Sequence, residues 1–310
     1  MRYDREVKIS VELPSVAYRE GPAKVAELAS AIESIGYDDI AMFDHVVMGH
    51  PTDDRPAPMY PPEMPILEAF TTLAFVAAVT TRVTLSTEVL VLPQRQPVLV
   101  AKQVSTLDTL SGGRVRLGVG VGWQEAEYES LGVPFGRRGR IMDEAIPLLR
   151  RCWGDARIDD RGETFEATAI AMEPKPPQGA ALPIWVGGFA PAALRRAGAL
   201  GDGWMASVIG SADRMRASID TIRQHAADAG RDPQALGMQA MLAPPPRDAA
   251  GKDFYRDVDA VVRRAVEVRD MGFDWIAVNA TAIFQAGARS VDAMTESLAA
   301  LLPRVRDAVG

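Results

Sequence analysis

Residues 83–121 read VTLSTEVLVLPQRQPVLVAKQVSTLDTLSGGRVRLGVGV. Val83–Leu92 is dense in β-branched and aliphatic residues over the length of a buried strand. Pro97–Leu110 starts on a proline, a favoured first-turn residue, repeats apolar residues every three or four positions, and stops at Ser111-Gly112-Gly113. Val115–Val121 is a second strand-like run. Two largely apolar strands joined by a helix make a βαβ unit, whose strands lie parallel under a cover of helices.

The same alternation continues on both sides. Strands are expected at Val7–Leu13, Asp39–Phe43, Pro183–Val186, Gly203–Ala206, Leu236–Leu242 and Asp274–Val278. Helices are expected at Pro22–Ile35, Pro65–Thr80, Arg138–Trp153, Pro191–Leu200, Ala212–Ala229, Asp253–Met271 and Val291–Val309. Eight strands alternating with about eight helices predict an α/β fold, a (β/α)8 TIM barrel, in preference to an open doubly wound sheet. The chain has 310 residues, about 39 per βα unit, and reads as one domain over residues 1–310. The surplus falls in rim insertions: Asp44–Met64, Ala243–Gly251, and Asp155–Gln178, whose alternating pattern around Arg161-Gly162 reads as a β-hairpin.

Composition removes several function classes. Lys plus Arg number 34 against 41 Asp plus Glu, a net charge of −7, which leaves no basic surplus for a nucleic acid or an anionic membrane surface. The most apolar stretch, Ile66–Val79, contains Glu68 and is too short to cross a bilayer. Cys152 is the single cysteine and has no internal disulfide partner, and the charged start MRYDREVKIS lacks the apolar run of a signal peptide, so a cytoplasmic location is expected. No set of Cys, His and carboxylate residues has metal-ligand spacing, and no metal is expected.

In such a barrel the chemistry sits on loops at the carboxyl ends of the strands. His45, one of three histidines, follows the second strand beside Asp44 and is the candidate proton-transfer residue, because imidazole titrates near neutrality. Gly118-Val119-Gly120-Val121-Gly122 is a poor dinucleotide fingerprint, since it lacks the third glycine of GxGxxG. Its missing side chains instead let a flat ring approach the backbone. In Ile184-Trp185-Val186-Gly187-Gly188-Phe189-Ala190-Pro191 a strand ends in two glycines just before a helix, which gathers free N–H groups and the positive end of the helix dipole into a phosphate-sized site. Glu88 interrupts an apolar strand and calls for a partner, for which Arg95 is the candidate. Trp123 either stacks on a ligand or packs under a Gln124–Leu131 helix. Met59, Tyr60 and Phe284, in the loops that would shape a pocket, point to an apolar or aromatic small-molecule organic substrate.

These motifs, taken in order from Gly36 to Trp204, resemble the bacterial luciferase-like monooxygenase superfamily, and in particular its coenzyme F420-dependent branch. The resemblance implies a TIM barrel holding a reduced flavin or deazaflavin across its carboxyl rim. It places His45, next to Asp44, near the reactive edge of the ring, and Thr87, Glu88 and Val89 behind the ring on a bulged strand, with a cis peptide between Glu88 and Val89. Gly120 and Gly122 would lie beside the cofactor, while Gly187, Gly188 and Phe189 would bind its phosphate. Two positions depart from the pattern. Trp123 stands where sugar-phosphate dehydrogenases of the superfamily have a glutamate, and Glu88 replaces a residue that is usually small. The expected activity is hydride transfer between coenzyme F420 and an organic substrate. The alternatives are an FMN-dependent monooxygenase, fed by a separate cofactor reductase and activating O2, and a non-catalytic flavin-binding barrel. The resemblance also implies a homodimer.

Overall fold

A computed structural model describes residues 6–206, 210–243 and 248–310. In chain order the elements are β1 (Lys8–Glu12), α1 (Pro22–Ile35), β2 (Asp39–Met42), α2 (Ala69–Ala77), β3 (Thr84–Thr87), β4 (Leu90–Val91), α3 (Pro97–Ser111), β5 (Val115–Gly120), α4 (Glu125–Ser130) and α5 (Arg138–Gly154). There follow β6 (Ile158–Arg161), β7 (Glu166–Ile170), β8 (Ile184–Gly187), α6 (Pro191–Ala199), β9 (Gly203–Ala206), α7 (Ala212–Asp228), β10 (Gly237–Met241), α8 (Ala249–Arg256), α9 (Val258–Asp270), β11 (Trp275–Asn279), α10 (Ala280–Ala286) and α11 (Val291–Val309).

The strands pair in the order β3-β2-β1-β11-β10-β9-β8-β5-β4, and a parallel β3–β5 pairing closes the ring. Because β3 and β4 are two pieces of one barrel position, this is a closed eight-stranded parallel barrel wrapped by helices. Leu85 pairs with Val115 across the closure, joining the two strands that flank α3. The β6–β7 hairpin is antiparallel and stands apart from the barrel, as the alternation in Asp155–Gln178 predicts.

The interior is filled by unequal side chains. Trp185 on β8 occupies the room left by Gly203 and Gly237, where an added Cβ would run into its ring. Such large-against-small packing keeps a barrel centre dense.

Five expected boundaries shift, each for a local reason. Val83–Leu92 is broken after Thr87, because the chain bulges at Glu88 and Val89 before pairing again at Leu90. The helix expected from Pro65 starts at Ala69, since Glu68 turns back to accept a hydrogen bond from the Thr71 amide at 2.7 Å and caps it there. Asp253–Met271 is two helices, divided where Asp257 accepts from the Asp259 and Ala260 amides. Part of Ala243–Gly251 belongs to α8, while Pro244–Arg247 and the strand-end residue Ser207 lie outside the described residues. The segment around Phe284, expected as a loop, is the helix α10, capped by the Asn279 side chain on the Ala282 amide at 2.7 Å. Among the described residues, no helix is long and apolar enough to cross a membrane.

Candidate active site

The broken strand makes a cradle. The Glu88–Val89 peptide is cis. The Val89 side chain lies over two glycines: a Cβ on Gly120 would come within 2.6 Å of it, and one on Gly187 within 3.1 Å. Gly122 has φ of +63°, and its missing Cβ gives way to Val91 at 2.6 Å. Thr87 turns from the mouth, donating its hydroxyl to the Gly118 carbonyl at 2.6 Å. Val89, Gly120 and Gly187 thus form one smooth wall at the break between β3 and β4 and the carboxyl ends of β5 and β8.

Beside it, Gly188 has φ of +114°, which favours glycine, and its carbonyl accepts from the Trp204 indole at 2.8 Å. Phe189 packs edge-on against Trp204 at 5.3 Å. The following helix, α6, has proline at its first turn and no side-chain cap, so its N-terminal amides point to the mouth uncommitted to any side chain. The Arg214 guanidinium, from the first turn of α7, lies 5.5 Å from the Phe189 ring centre and brings positive charge to this corner. Sequence reading missed Arg214, whose only signal is its place in the turn opening the next helix.

His45 is buried in the loop after β2. Its Nδ1 lies 3.0 Å from Glu127, whose side chain is fully enclosed. The other Glu127 oxygen accepts from the Val46 amide at 2.5 Å and from the Val47 amide at 3.4 Å. Burial alone would raise the Glu127 pKa, but hydrogen bonds from His45 and the Val46 amide outweigh it and hold the carboxylate below its ordinary range. An ionised Glu127 assigns the proton to Nδ1 and leaves Nε2, which has no hydrogen bond among the described residues, as the uncommitted nitrogen. From the same helix turn, Gln124 bonds the Gly49 amide at 2.5 Å and the Val47 carbonyl at 2.9 Å. Glu127 also escaped sequence reading. The available signal was a pair of polar residues, Gln124 and Glu127, three apart on one short helix.

Asp44 is committed elsewhere. One oxygen accepts from the Val91 amide at 3.0 Å and the other meets Arg95 at 2.6 Å, tying the end of β2 to the far side of the break in β3. This corrects the expected Glu88–Arg95 partnership: Arg95 is held by Asp44, with Glu68 at 3.9 Å. β3 and β4 both run parallel to β5, so the chain carries Arg95 on past the bulge to Asp44, while Glu88 faces Gln239 and Arg116 inside the barrel.

Tyr60 and Trp123 close over the histidine, with ring centres 6.0 and 5.3 Å from His45 and 6.1 Å from each other. Trp123 therefore belongs to the mouth rather than to the packing beneath α4. Met59, next to Tyr60, is exposed. Phe284 has no ring contact with this cluster; it lies on α10 under the Arg289 guanidinium at 4.9 Å.

The family profile for luciferase-like monooxygenases matches residues 7–260. The chain belongs to that family. An uncharacterized protein of Mycobacterium tuberculosis is 38% identical over 209 residues, 64% of this chain and 71% of the relative. The pyrimidine monooxygenase RutA of Serratia proteamaculans is 38% identical over 117 residues, 36% of this chain and only 31% of that protein. In fold, the luciferase-like barrel is similar to an F420-dependent secondary alcohol dehydrogenase solved with an F420–acetone adduct. The TM-score is 0.78 at 18% identity, covering 97% of this chain and 99% of the other.

Proposed function

We propose that this luciferase-like protein transfers a hydride between coenzyme F420 and an organic substrate, with His45 giving or taking the accompanying proton. The observation that carries the reading is the His45–Glu127 pair: a buried imidazole with one nitrogen fixed and the other uncommitted, on the rim that carries the glycine-lined cradle. The residues present fit such a cofactor. The wall of Val89, Gly120 and Gly187 offers the close backbone approach a flat ring needs, and Gly122 extends it. Gly188, Phe189, the first turn of α6 and Arg214 suit a phosphate. When bound, the deazaflavin supplies the hydride chemistry.

The protein's own part is positioning and proton control. Glu127 fixes the tautomer and orientation of His45. Tyr60 and Trp123 cover the ring and exclude water from it. Asp44 holds the two halves of the bulge together through Val91 and Arg95. The F420-dependent dehydrogenase fold supports this reading, which also includes an apolar or aromatic substrate and a cytoplasmic homodimer.

A second reading, reduced FMN from a separate reductase with O2 as co-substrate, is favoured by the likeness to the pyrimidine monooxygenase. Parallel titrations of the protein with F420 and FMN, followed by fluorescence quenching, separate the two. Micromolar F420 binding with negligible FMN binding is expected, and the reverse order refutes the first reading.

A further inference from the structure

The barrel interior carries charge that this chemistry leaves unused. Arg116 on β5 is stacked between Trp185 and Trp275, at 4.5 and 4.1 Å, and pairs with Asp39 at 3.1 Å. Asp39 also accepts from Ser10 and Ser86, so this layer pairs one guanidinium with one carboxylate. Two residues further towards the carboxyl ends of β1 and β3 stand Glu12 and Glu88. Glu12 is buried and accepts from Asn279 Nδ2 at 2.9 Å and Thr281 Oγ1 at 3.5 Å, both neutral donors. Glu88 Oε2 is shut off from solvent and has no hydrogen bond. Gln239 on β10, which faces Glu88, is fully buried, and neither of its amide atoms finds a hydrogen bond of ordinary geometry.

Among the described residues neither glutamate forms an ion pair: Arg116 lowers the Glu88 pKa only from a distance, with Nε and Nη1 making no hydrogen bond. Arg116 is engaged with Asp39, and Arg95 with Asp44 and Glu68. Burial and the neighbouring Glu88 push Glu12 up to about 8, and burial pushes Glu88 up to about 7, against Gln239 and Arg116. At neutral pH the pair therefore retains a proton, which a cation bound beside it would displace.

We infer that this acid floor of the barrel mouth, Glu12, Glu88 and Gln239, is a binding subsite for the ammonium group of an amine-bearing ligand. The unmet acceptors, Glu88 Oε2 and the Gln239 carbonyl oxygen, match N–H donors, and the ligand's charge takes the place of the retained proton, which leaves to solvent. An anion would be repelled. A divalent metal lacks a third ligand, since among the described residues no three His, Cys, Asp or Glu side chains gather to hold one. Tyr60 and Trp123 set aromatic rings beside His45 on the same rim, which favours an arylalkyl amine.

The subsite does not depend on which cofactor the cradle takes, and binding alone tests it. The full-length protein is titrated calorimetrically with phenethylamine, 2-phenylethanol and 3-phenylpropionate at pH 7, in two buffers of different ionisation enthalpy. The amine is expected to bind at least tenfold tighter than the alcohol, to release a proton on binding, and to lose about 10- to 100-fold in affinity in Glu88→Gln, the usual cost of losing a hydrogen bond to a charged group. The acid is expected not to bind. Glu12→Gln should weaken the amine in the same direction, and both neutral isosteres remove charge without changing shape. Equal affinity for amine and alcohol, amine binding without proton release, undiminished binding in both variants, or no amine binding at all overturns it.

Discussion

Glu88→Gln should alter how the stability of the protein depends on pH. In the folded chain the Glu88 carboxyl is raised from 4.5 to about 7, chiefly by burial. Between those two values the folded state binds more protons than the unfolded chain, so its contribution to stability is complete below pH 4.5 and is lost as pH rises through about 7. A tenfold change in proton affinity corresponds to about 1.4 kcal/mol, so a single group moved this far accounts for on the order of 3 kcal/mol. Because Glu12 titrates as its partner, with its own loss extending to about pH 8, the figure belongs to the pair and is an upper bound for Glu88 alone. Glutamine keeps the shape and removes the ionisation, and it also relieves Glu12 of a neighbouring charge. Urea unfolding of both proteins from pH 5 to pH 9 should therefore show the wild-type stability falling faster, and the variant gaining on the order of 3 kcal/mol relative to it across that range. Identical slopes would mean that the Glu88 carboxylate is solvated in the folded chain as it is in the unfolded one.

Other expectations follow from the rim. His45→Ala should lower kcat by about 100-fold or more, the usual contribution of a proton-transfer group. Glu127→Gln should cost less and move the pH profile of kcat/KM, whereas an unmoved profile would reduce Glu127 to a loop anchor. Gly188→Val places a side chain at φ of +114° and against Ala193, and should weaken cofactor binding by about tenfold or more with little change in fold. Quenching titration with far-ultraviolet circular dichroism reads both effects. Gly118→Ala drives a Cβ into the Thr87 carbonyl and to 2.6 Å from the Met205 sulfur, so chemical denaturation should show a loss of about 1–3 kcal/mol.

The barrel was readable because its signals are local. Pro97 and Gly112 bracket α3, and the apolar runs on either side could only be strands of a parallel sheet. What escaped depends on side chains that choose between local alternatives. Asn279 ends a strand by sequence but also caps α10, and Asp257 cuts a continuous helical pattern in two with a single carboxylate. The site divides in the same way. The glycines of the cradle follow from the backbone and were visible as motifs. Glu127 meets His45 across 82 positions and Asp44 meets Arg95 across 51, and no periodicity encodes those pairings. Glu88 stood out correctly as a polar residue in an apolar strand, but its surroundings are other strands of the closed barrel rather than its sequence neighbours.

The loop that carries His45 is attached through its main chain. Glu127 and Gln124 grip the amides of Val46, Val47 and Gly49 and the carbonyl of Val47, and the Val46 and Val47 side chains are left exposed. Such a fastening does not depend on which residues occupy positions 46 and 47. New side chains can be set there, reshaping what the mouth admits, while the imidazole stays where it is. The rim thus separates selectivity from chemistry, and libraries built at positions 46 and 47 should change substrate preference with little loss of turnover.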